Sequence, residues 1–175
     1  GGTWREISLY DAISEGIGAQ VTALTPMEDL KKYATKLGMK IDPQWVTGKL
    51  AEEIFEHTAQ DKLIEPTFVM GYPVDTSPLV RAHREIPGVV EKWDLYVDGF
   101  ELATGYSELI DPVIQRERLV EQAQLGAKGD LEAMQVDEDF LRAMEFGMPP
   151  MGGMGMGVDR LLMALTGLGI RETIL

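Results

Sequence analysis

The stretch KWDLYVDGFELATGYSEL, residues 92–109, predicts two β-strands joined by a tight turn. Aromatic and aliphatic residues alternate with polar ones on either side of Asp98-Gly99, a dipeptide typical of two-residue type I′ turns. In that geometry Tyr96 pairs with Glu101 across the hairpin. The stretch therefore indicates an antiparallel sheet.

Strict alternation away from the turn places four side chains on one face of this sheet: Asp94, Tyr96, Glu101 and Ala103. Asp94 and Glu101 then become diagonal neighbours, with Cβ atoms about 7–8 Å apart or less. Two carboxylates at that spacing can share a divalent cation. The alternative is that both acids simply face solvent, and strand parity alone leaves both interpretations open.

Glu108 falls on the opposite face from Glu101 if the alternation continues without interruption. Gly105 lies between them and could bend or bulge the strand, which would re-aim the residues that follow. Thr104, Tyr106 and Glu108 would then lie close together, and an aromatic wall beside a carboxylate suits an ammonium ligand. The alternative is a strand end with an exposed glutamate.

The stretch GMPPMGGMGMGVDRLLMALTG, residues 147–167, predicts a glycine-rich strand followed by a helix. Glycines weaken a strand unless another backbone or a flat ligand lies against it, so this strand offers a floor for a ligand. Arg160, in the first helical turn, could stack on a nucleobase or reach phosphate oxygens. The glycine spacing matches neither a P-loop nor a dinucleotide-binding fingerprint. A tightly packed strand with a salt bridge at the helix start is the structural alternative.

Helices are predicted on both sides of these strands. The helix that contains LLMALTG is apolar all round, and we therefore expect it to be buried. Other helices are indicated over 8–18, 25–39, 48–63, 111–129 and 137–147. Thr25 and Asp111 are predicted caps, each followed by a proline. With a buried strand over 66–73, these elements predict an α+β fold, one domain over 1–175 with a helical segment at about 8–63.

Composition excludes several classes of site. The 175 residues include no cysteine, so neither a disulfide framework nor a thiolate metal site is possible, and His57 and His83 are too few for a histidine zinc site. A net charge of −13 disfavours broad nucleic-acid binding by this stretch. No apolar run reaches the roughly 20 residues of a membrane span, and no secretory segment opens the chain. We therefore expect a cytoplasmic protein without a membrane partner.

Three segments stand in an order and spacing that match one enzyme family. They are PTFVMGYPVDTSPLVR (66–81), WDLYVDGFELATGYSELIDPVIQRERL (93–119) and GMPPMGGMGMGVDRLLMALTGLGIRETIL (147–175). Together they resemble the C-terminal half of the catalytic domain of class II lysyl-tRNA synthetases, and GMGVDRLLMAL is similar to the third signature motif of class II synthetases. The resemblance implies a partial class II catalytic domain, an antiparallel sheet flanked by helices.

The resemblance also implies which residues bind the substrates. Asp94 and Glu101 match the acids that hold magnesium ions bridging the ATP phosphates, and Arg160 and Glu101 are the implied catalytic residues. The implied ATP-binding residues are Glu101, Leu102, Gly157 and Arg160. The implied lysine-binding residues are Thr104, Tyr106, Glu108 and Gly155. Asp94 stands where the family commonly has glutamate, and Thr104 stands where it commonly has asparagine.

The implied activity is that of a lysine–tRNA ligase. Lysine reacts with ATP to give lysyl-adenylate and pyrophosphate, and the lysyl group then passes to the terminal adenosine of tRNA. The expected partners are lysine, ATP and tRNA, with Mg²⁺ as cofactor and a homodimer as the state of the full-length enzyme. The family's anticodon domain and first two motifs have no counterpart here, so we expect a fragment that is inactive alone. Two alternatives stay open: a relative that lysylates a protein or a lipid, and a non-catalytic domain that binds lysine or a nucleotide.

Overall fold

The computed structural model describes residues 2–127, 129 and 133–174. Within them, five strands form one sheet: β1 (Arg5–Ser8), β2 (Thr67–Met70), β3 (Lys92–Val97), β4 (Phe100–Ser107) and β5 (Gly152–Met156). The helices are α1 (Leu9–Ile17), α2 (Met27–Lys36), α3 (Thr47–Thr58), α4 (Pro112–Ala127), α5 (Glu138–Glu145), α6 (Val158–Thr166) and α7 (Ile170–Thr173). The predicted helix over 48–63 thus ends early and continues as a 3₁₀ turn over Gln60–Lys62. Position 128 of the predicted helix over 111–129 lies outside the described residues.

The sheet has the strand order β1-β2-β3-β4-β5, so neighbours in space follow the order of the chain. β1 runs parallel to β2, and every other neighbouring pair is antiparallel. The sequence did not predict β1, because Ile7 is its only buried residue and no alternation marks it. The α+β class, with a mostly antiparallel sheet flanked by helices, is confirmed.

The main core lies between one face of the sheet and helices α1 to α3. Its best-buried side chains include Leu9, Ile13, Leu50, Ile54 and Phe55. The Phe55 ring meets the Tyr96 ring edge-on, with centroids 5.5 Å apart. Because Tyr96 belongs to β3, this contact fixes the hairpin strand against the helical layer.

The helix starts confirm one predicted cap and correct another. Asp111 caps α4 as predicted, since its Oδ1 accepts a hydrogen bond from the Val113 amide over 2.9 Å. Thr25 does not cap α2: its hydroxyl accepts from the Thr22 amide, within a turn that precedes the helix. Pro26 takes the cap position and offers no side-chain hydrogen bond.

The opposite face of the sheet carries a smaller apolar cluster and α6. Its buried members are Leu95, Leu102 and Ala103, with Phe68, Trp93, Val97 and Leu161 packed against them. The expectation that α6 is buried is wrong, because none of its nine residues is buried. Leu161 touches the sheet, whereas Leu165 is 74% exposed, since no described element covers the outer side of the helix.

Candidate active site

The β3–β4 hairpin has the predicted turn. Asp98 and Gly99 adopt φ values of 55° and 79°, and two positive values in succession are what a type I′ turn requires. Tyr96 pairs with Glu101 directly behind the turn, as predicted. The turn is held by its amides, since Asp98 N–H donates to the Ile64 carbonyl over 2.9 Å.

A β-bulge interrupts the alternation one residue beyond the Tyr96–Glu101 pair. The next pair joins Leu95 to Ala103, so Leu102 is an additional residue in β4. The prediction that Ala103 shares a face with Glu101 is therefore wrong. Ala103 lies with Leu95 in the apolar cluster on the other face.

The bulge brings the candidate acids onto one face. Asp94 now pairs with Thr104, and Lys92 pairs with Tyr106, so these side chains share the face of Glu101. Glu108 lies two residues after Tyr106 and four after Thr104, so strand alternation places its side chain on the same face. The inserted Leu102, rather than Gly105, thus supplies the change of phase that places Glu108 with Glu101.

Gly105 has a different reason to be a glycine. It pairs with Trp93 across the hairpin, and the indole ring lies against its Cα, where a methyl group would overlap the ring atoms. The predicted bulge at Gly105 is therefore wrong. A small residue is needed there because an aromatic ring from the next strand covers it.

Asp94 is the most deeply buried of the predicted site residues. It is 2% exposed, and its Oδ2 accepts an ion pair from the Lys92 ammonium at 3.0 Å. The same ammonium lies 4.0 Å from the centroid of the Tyr72 ring, a cation–π contact. The other oxygen, Asp94 Oδ1, has no hydrogen-bond partner among the described residues, and neither has the buried hydroxyl of its strand partner Thr104.

Glu101 lies close enough to Asp94 for their charges to interact. Burial raises the pKa of Glu101 and the Asp94 carboxylate raises it further, while Arg160 and Lys92 oppose that shift. Mg²⁺ prefers hard oxygen ligands and commonly uses one or two carboxylates together with phosphate oxygens and water. The free Asp94 Oδ1 and the half-exposed Glu101 carboxylate fit that requirement. Over the described ranges, no group of three or more potential metal ligands occurs.

Arg160 is tied to the bulge in β4. Its Nη1 donates to the Glu101 carbonyl oxygen over 2.7 Å and lies 3.7 Å from the Glu101 carboxylate. Gly157, the residue before α6, donates its amide to the Leu102 carbonyl over 3.1 Å. The two bonds hold the start of α6 beside the acids, and 46% of the Arg160 side chain stays exposed. The structural alternative, a salt bridge at the helix start, is thus part of the arrangement.

The glycine strand β5 leaves an open floor next to these residues. Gly155 pairs with Thr104, and the nearest atom to a Cβ added there would be 4.0 Å away. Gly153 pairs with Tyr106, and the Glu108 Oε1 would lie 3.0 Å from a Cβ on Gly153. Glu108 therefore extends over β5, and a side chain at Gly153 would require its carboxylate to shift.

Glu108 and Tyr106 form the outer end of the same face. Burial raises the pKa of Glu108, and it raises the pKa of Tyr106 with a further contribution from the Glu108 charge. The Glu108 amide donates to the Met151 carbonyl over 3.0 Å, which ties the end of β4 to the chain entering β5. A partly buried carboxylate beside an aromatic ring is a suitable environment for an ammonium group.

Two residues of this face, Lys92 and Tyr72, are not among those that the sequence predicts for the site. Lys92 is two residues from Asp94 on the same strand, so strand parity would have placed both on one face. The contact with Tyr72 had no signal in the sequence, because Tyr72 follows a different strand and lies in a loop.

A sizeable cavity lies elsewhere. It measures about 530 Å³ between α3, α4 and the loop after β2, and its lining includes Trp45, Glu52, Asp75 and Gln122. None of the predicted site residues lines it. Burial raises the pKa of Glu52 to about 7, against the opposing effects of a hydrogen bond from Thr76 and the charge of Lys92.

Comparison with known proteins decides the family. The sequence pattern of the family described as tRNA synthetases class II (D, K and N) matches residues 2–175. The chain belongs to this family. Among its relatives are the lysine–tRNA ligases of Kineococcus radiotolerans, 66% identical over 175 residues, and of Mycolicibacterium gilvum, 58% identical over 176 residues. Each alignment covers 99% of this chain and 35% of the relative, so this class II synthetase chain spans about a third of their length.

A relative with another printed activity also matches. The lysylphosphatidylglycerol biosynthesis bifunctional protein LysX of Mycobacterium avium is 51% identical over 173 residues, which cover 99% of this class II synthetase chain and 15% of LysX. In the described part of the chain, no helix has the length and apolarity that crossing a membrane requires.

Proposed function

We propose that this chain is part of a lysine–tRNA ligase and contributes the C-terminal half of the catalytic domain, including the third class II motif. The observation that carries the proposal is the common face of Asp94, Glu101 and Glu108, with Arg160 bonded to Glu101 at its edge. The named relatives at 66% and 58% identity support the same activity. The 175 residues form one unit of that catalytic domain.

Lysine is selected by the outer end of the face. Glu108 accepts the ε-ammonium of the substrate, and Tyr106 lies beside it. A side chain that is shorter or neutral leaves the partly buried carboxylate without its partner, which costs binding free energy and so discriminates against it. Thr104 and Gly155, which pair across β4 and β5, leave room for the backbone of the amino acid.

ATP lies against the glycine floor and the start of α6. The Arg160 guanidinium packs on the adenine ring, and the backbone at Leu102 and Gly157 borders the nucleotide. Asp94 and Glu101 would hold Mg²⁺, which neutralises phosphate charge when it is bound. The hydrogen bond from Arg160 to the Glu101 carbonyl links the base-binding end of the site to its phosphate-binding end.

The chemistry is carried mainly by positioning. An oxygen of the lysine carboxylate forms a bond to the α-phosphorus of ATP, and the bond from that phosphorus to the pyrophosphate oxygen breaks. Glu108 fixes the amino acid and Arg160 fixes the nucleotide, so the reacting atoms meet in one geometry. The carboxylates stay in the site as charge-balancing groups and take no proton in this step.

The acceptor, the oligomeric state and the cellular compartment are properties of the longer protein. The tRNA is the acceptor of the lysyl group, the full-length enzyme forms a homodimer, and the reaction takes place in the cytoplasm. The 175 residues alone do not activate lysine, because the motif that contributes an arginine to the α-phosphate is not among them.

Lysine-dependent ATP–pyrophosphate exchange by the full-length protein tests the proposal. We expect exchange with lysine and not with other amino acids. Glu108→Gln should abolish most of it, whereas the matched control Glu145→Gln, on α5, should not change it. Lysine or nucleotide binding without exchange would point to a non-catalytic binding domain.

A second candidate function follows from the match to LysX. In that case the same face would activate lysine, and the acceptor would be a lipid in place of tRNA. Transfer of radiolabelled lysine to tRNA or to phosphatidylglycerol vesicles distinguishes the two, because pyrophosphate exchange is common to both.

A further inference from the structure

The Lys92–Asp94 ion pair has no place in the proposed reaction, and it carries a further inference. We propose that the Lys92 ammonium is a built-in competitor of the divalent cation for Asp94. It holds the carboxylate while no metal is bound, and it gives way when a metal arrives with the nucleotide. The inference rests on the proposed function and concerns the regulation of the same site.

The geometry fixes Lys92 at this point. Lys92 and Asp94 are two residues apart on β3 and project from the same face, with Nζ and Oδ2 3.0 Å apart. Their side chains are only 23% and 3% exposed, so solvent screens the pair weakly. The Tyr72 ring centroid lies 4.0 Å from the ammonium and adds a cation–π contact to the ion pair.

Burial makes a counter-ion necessary. A carboxylate that is 2% exposed is costly to keep ionised unless a cation compensates it. Lys92 compensates only one oxygen of Asp94, because Oδ1 has no hydrogen-bond partner in the described residues. The free oxygen is where a second cation can enter.

A divalent ion at Asp94 must act against the charge of Lys92. The ammonium also lowers the pKa of Glu101, together with Arg160, and that of Glu52, together with Lys49, so its charge is shared among several carboxylates. Its flexible four-carbon stem lets it withdraw when a stronger cation takes Asp94. The phosphate oxygens of the nucleotide give the metal further ligands and negative charge. A metal that enters with the nucleotide therefore binds more tightly and displaces Lys92 from Asp94. Without phosphates, Lys92 keeps the metal affinity low.

Direct Mn²⁺ binding to the full-length protein tests the competition without any activity assay. Free Mn²⁺ is measured by electron paramagnetic resonance, without nucleotide and at fixed pH and salt. The variants are Lys92→Met, which keeps the length of the side chain and removes its charge, and Lys92→Arg, which keeps the charge. We expect Lys92→Met to bind Mn²⁺ at least fivefold more tightly than the wild type, and Lys92→Arg to stay within twofold. Equal or weaker binding by Lys92→Met would overturn the inference.

Two further measurements guard against a merely structural effect. Adding Asp94→Asn to Lys92→Met should remove the gain in Mn²⁺ affinity, and a gain that persists would place the metal elsewhere and contradict the inference. Mn²⁺ should also raise the melting temperature of Lys92→Met more than that of the wild type, because the metal replaces a missing counter-ion. An equal shift in both proteins would contradict it. If Lys92→Met does not fold, Lys92→Gln is tested in the same way.

Failure of the proposed function would be seen separately. A wild-type protein that performs no lysine-dependent pyrophosphate exchange overturns the assignment as a lysine-activating enzyme. The Mn²⁺ comparison between Lys92 variants would still give its own answer about competition at Asp94.

Discussion

The Arg160 guanidinium donates a hydrogen bond to the carbonyl oxygen of Glu101 over 2.7 Å. That carbonyl belongs to the residue directly before the inserted Leu102 in β4. A single arginine thus connects the start of α6 to the bulge that brings the acids onto one face. The contact makes Arg160 part of the site even though almost half of its side chain is exposed.

Arg160→Ala should affect activity far more than stability. Its ion pair with Glu101 joins two side chains that are 46% and 40% exposed, and such pairs contribute about 0.2–1 kcal/mol. Lysine-dependent pyrophosphate exchange should fall about 100-fold or more, as expected when a group that positions a substrate is lost. Urea unfolding measures the stability. Arg160→Lys is the control, and full activity in that variant would contradict a planar stacking role for the guanidinium.

Glu108→Gln should raise the KM for lysine about 10- to 100-fold with a smaller change in the KM for ATP, since a charged hydrogen bond contributes about 1.5–3 kcal/mol. The pH dependence follows from the sign of the shift. Burial raises the pKa of Glu108, so its carboxylate takes up a proton at higher pH than an exposed glutamate does. In the wild type, kcat/KM for lysine should fall as the pH drops through that raised pKa. If kcat/KM for lysine fell in the same way at low pH in Glu108→Gln, the assignment of Glu108 would be contradicted.

Gly105→Ala should destabilise the protein by about 1–3 kcal/mol, the usual range for overpacking a well-filled site. The added methyl group would overlap the Trp93 ring, which is fixed in the neighbouring strand. Gly155→Ala is the matched control on the adjacent strand, because its nearest neighbour would be 4.0 Å away. Gly155→Ala should unfold at nearly the wild-type urea concentration and lose lysine binding. Equal stability losses in both variants would refute this difference in packing.

Glu52→Gln should stabilise the protein above pH 7 and have little effect near pH 4. Burial raises the pKa of Glu52 from its ordinary 4.5 to about 7, so the folded state binds a proton more tightly than the unfolded state. The stability linked to this group is fully present below pH 4.5 and is lost as the pH rises through about 7. The gain in the variant should approach, at most, about 3 kcal/mol. Denaturant melts at pH 5 and pH 8 measure it, with Glu53→Gln as the control for one removed charge on α3.

The sequence predicted the hairpin and its turn because Asp98-Gly99 is a strong local signal. The bulge at Leu102 has no such signal, because it is defined by the register between β3 and β4 and not by the local sequence. For this reason strand parity grouped Asp94 with Glu101 correctly, assigned Ala103 to the wrong face, and left Glu108 unresolved.

Two further differences have physical causes that a single sequence does not contain. The apolar composition of α6 predicted burial, but burial depends on what packs against the helix, and in the described chain only Leu161, Met163 and Ala164 of α6 are partly buried. Likewise, β1 is recognisable only through its pairing with β2, because its own side chains show no alternation. The roles of the site residues in binding lysine, ATP and Mg²⁺ stay predictions.

The most direct test of the common face is a crystal structure of the full-length protein with a non-hydrolysable lysyl-adenylate analogue. We expect the ligand ammonium within hydrogen-bonding distance of Glu108 and the adenine ring against Arg160. An analogue bound in the cavity beside Trp45 and Glu52, or one whose ammonium does not reach Glu108, would contradict it.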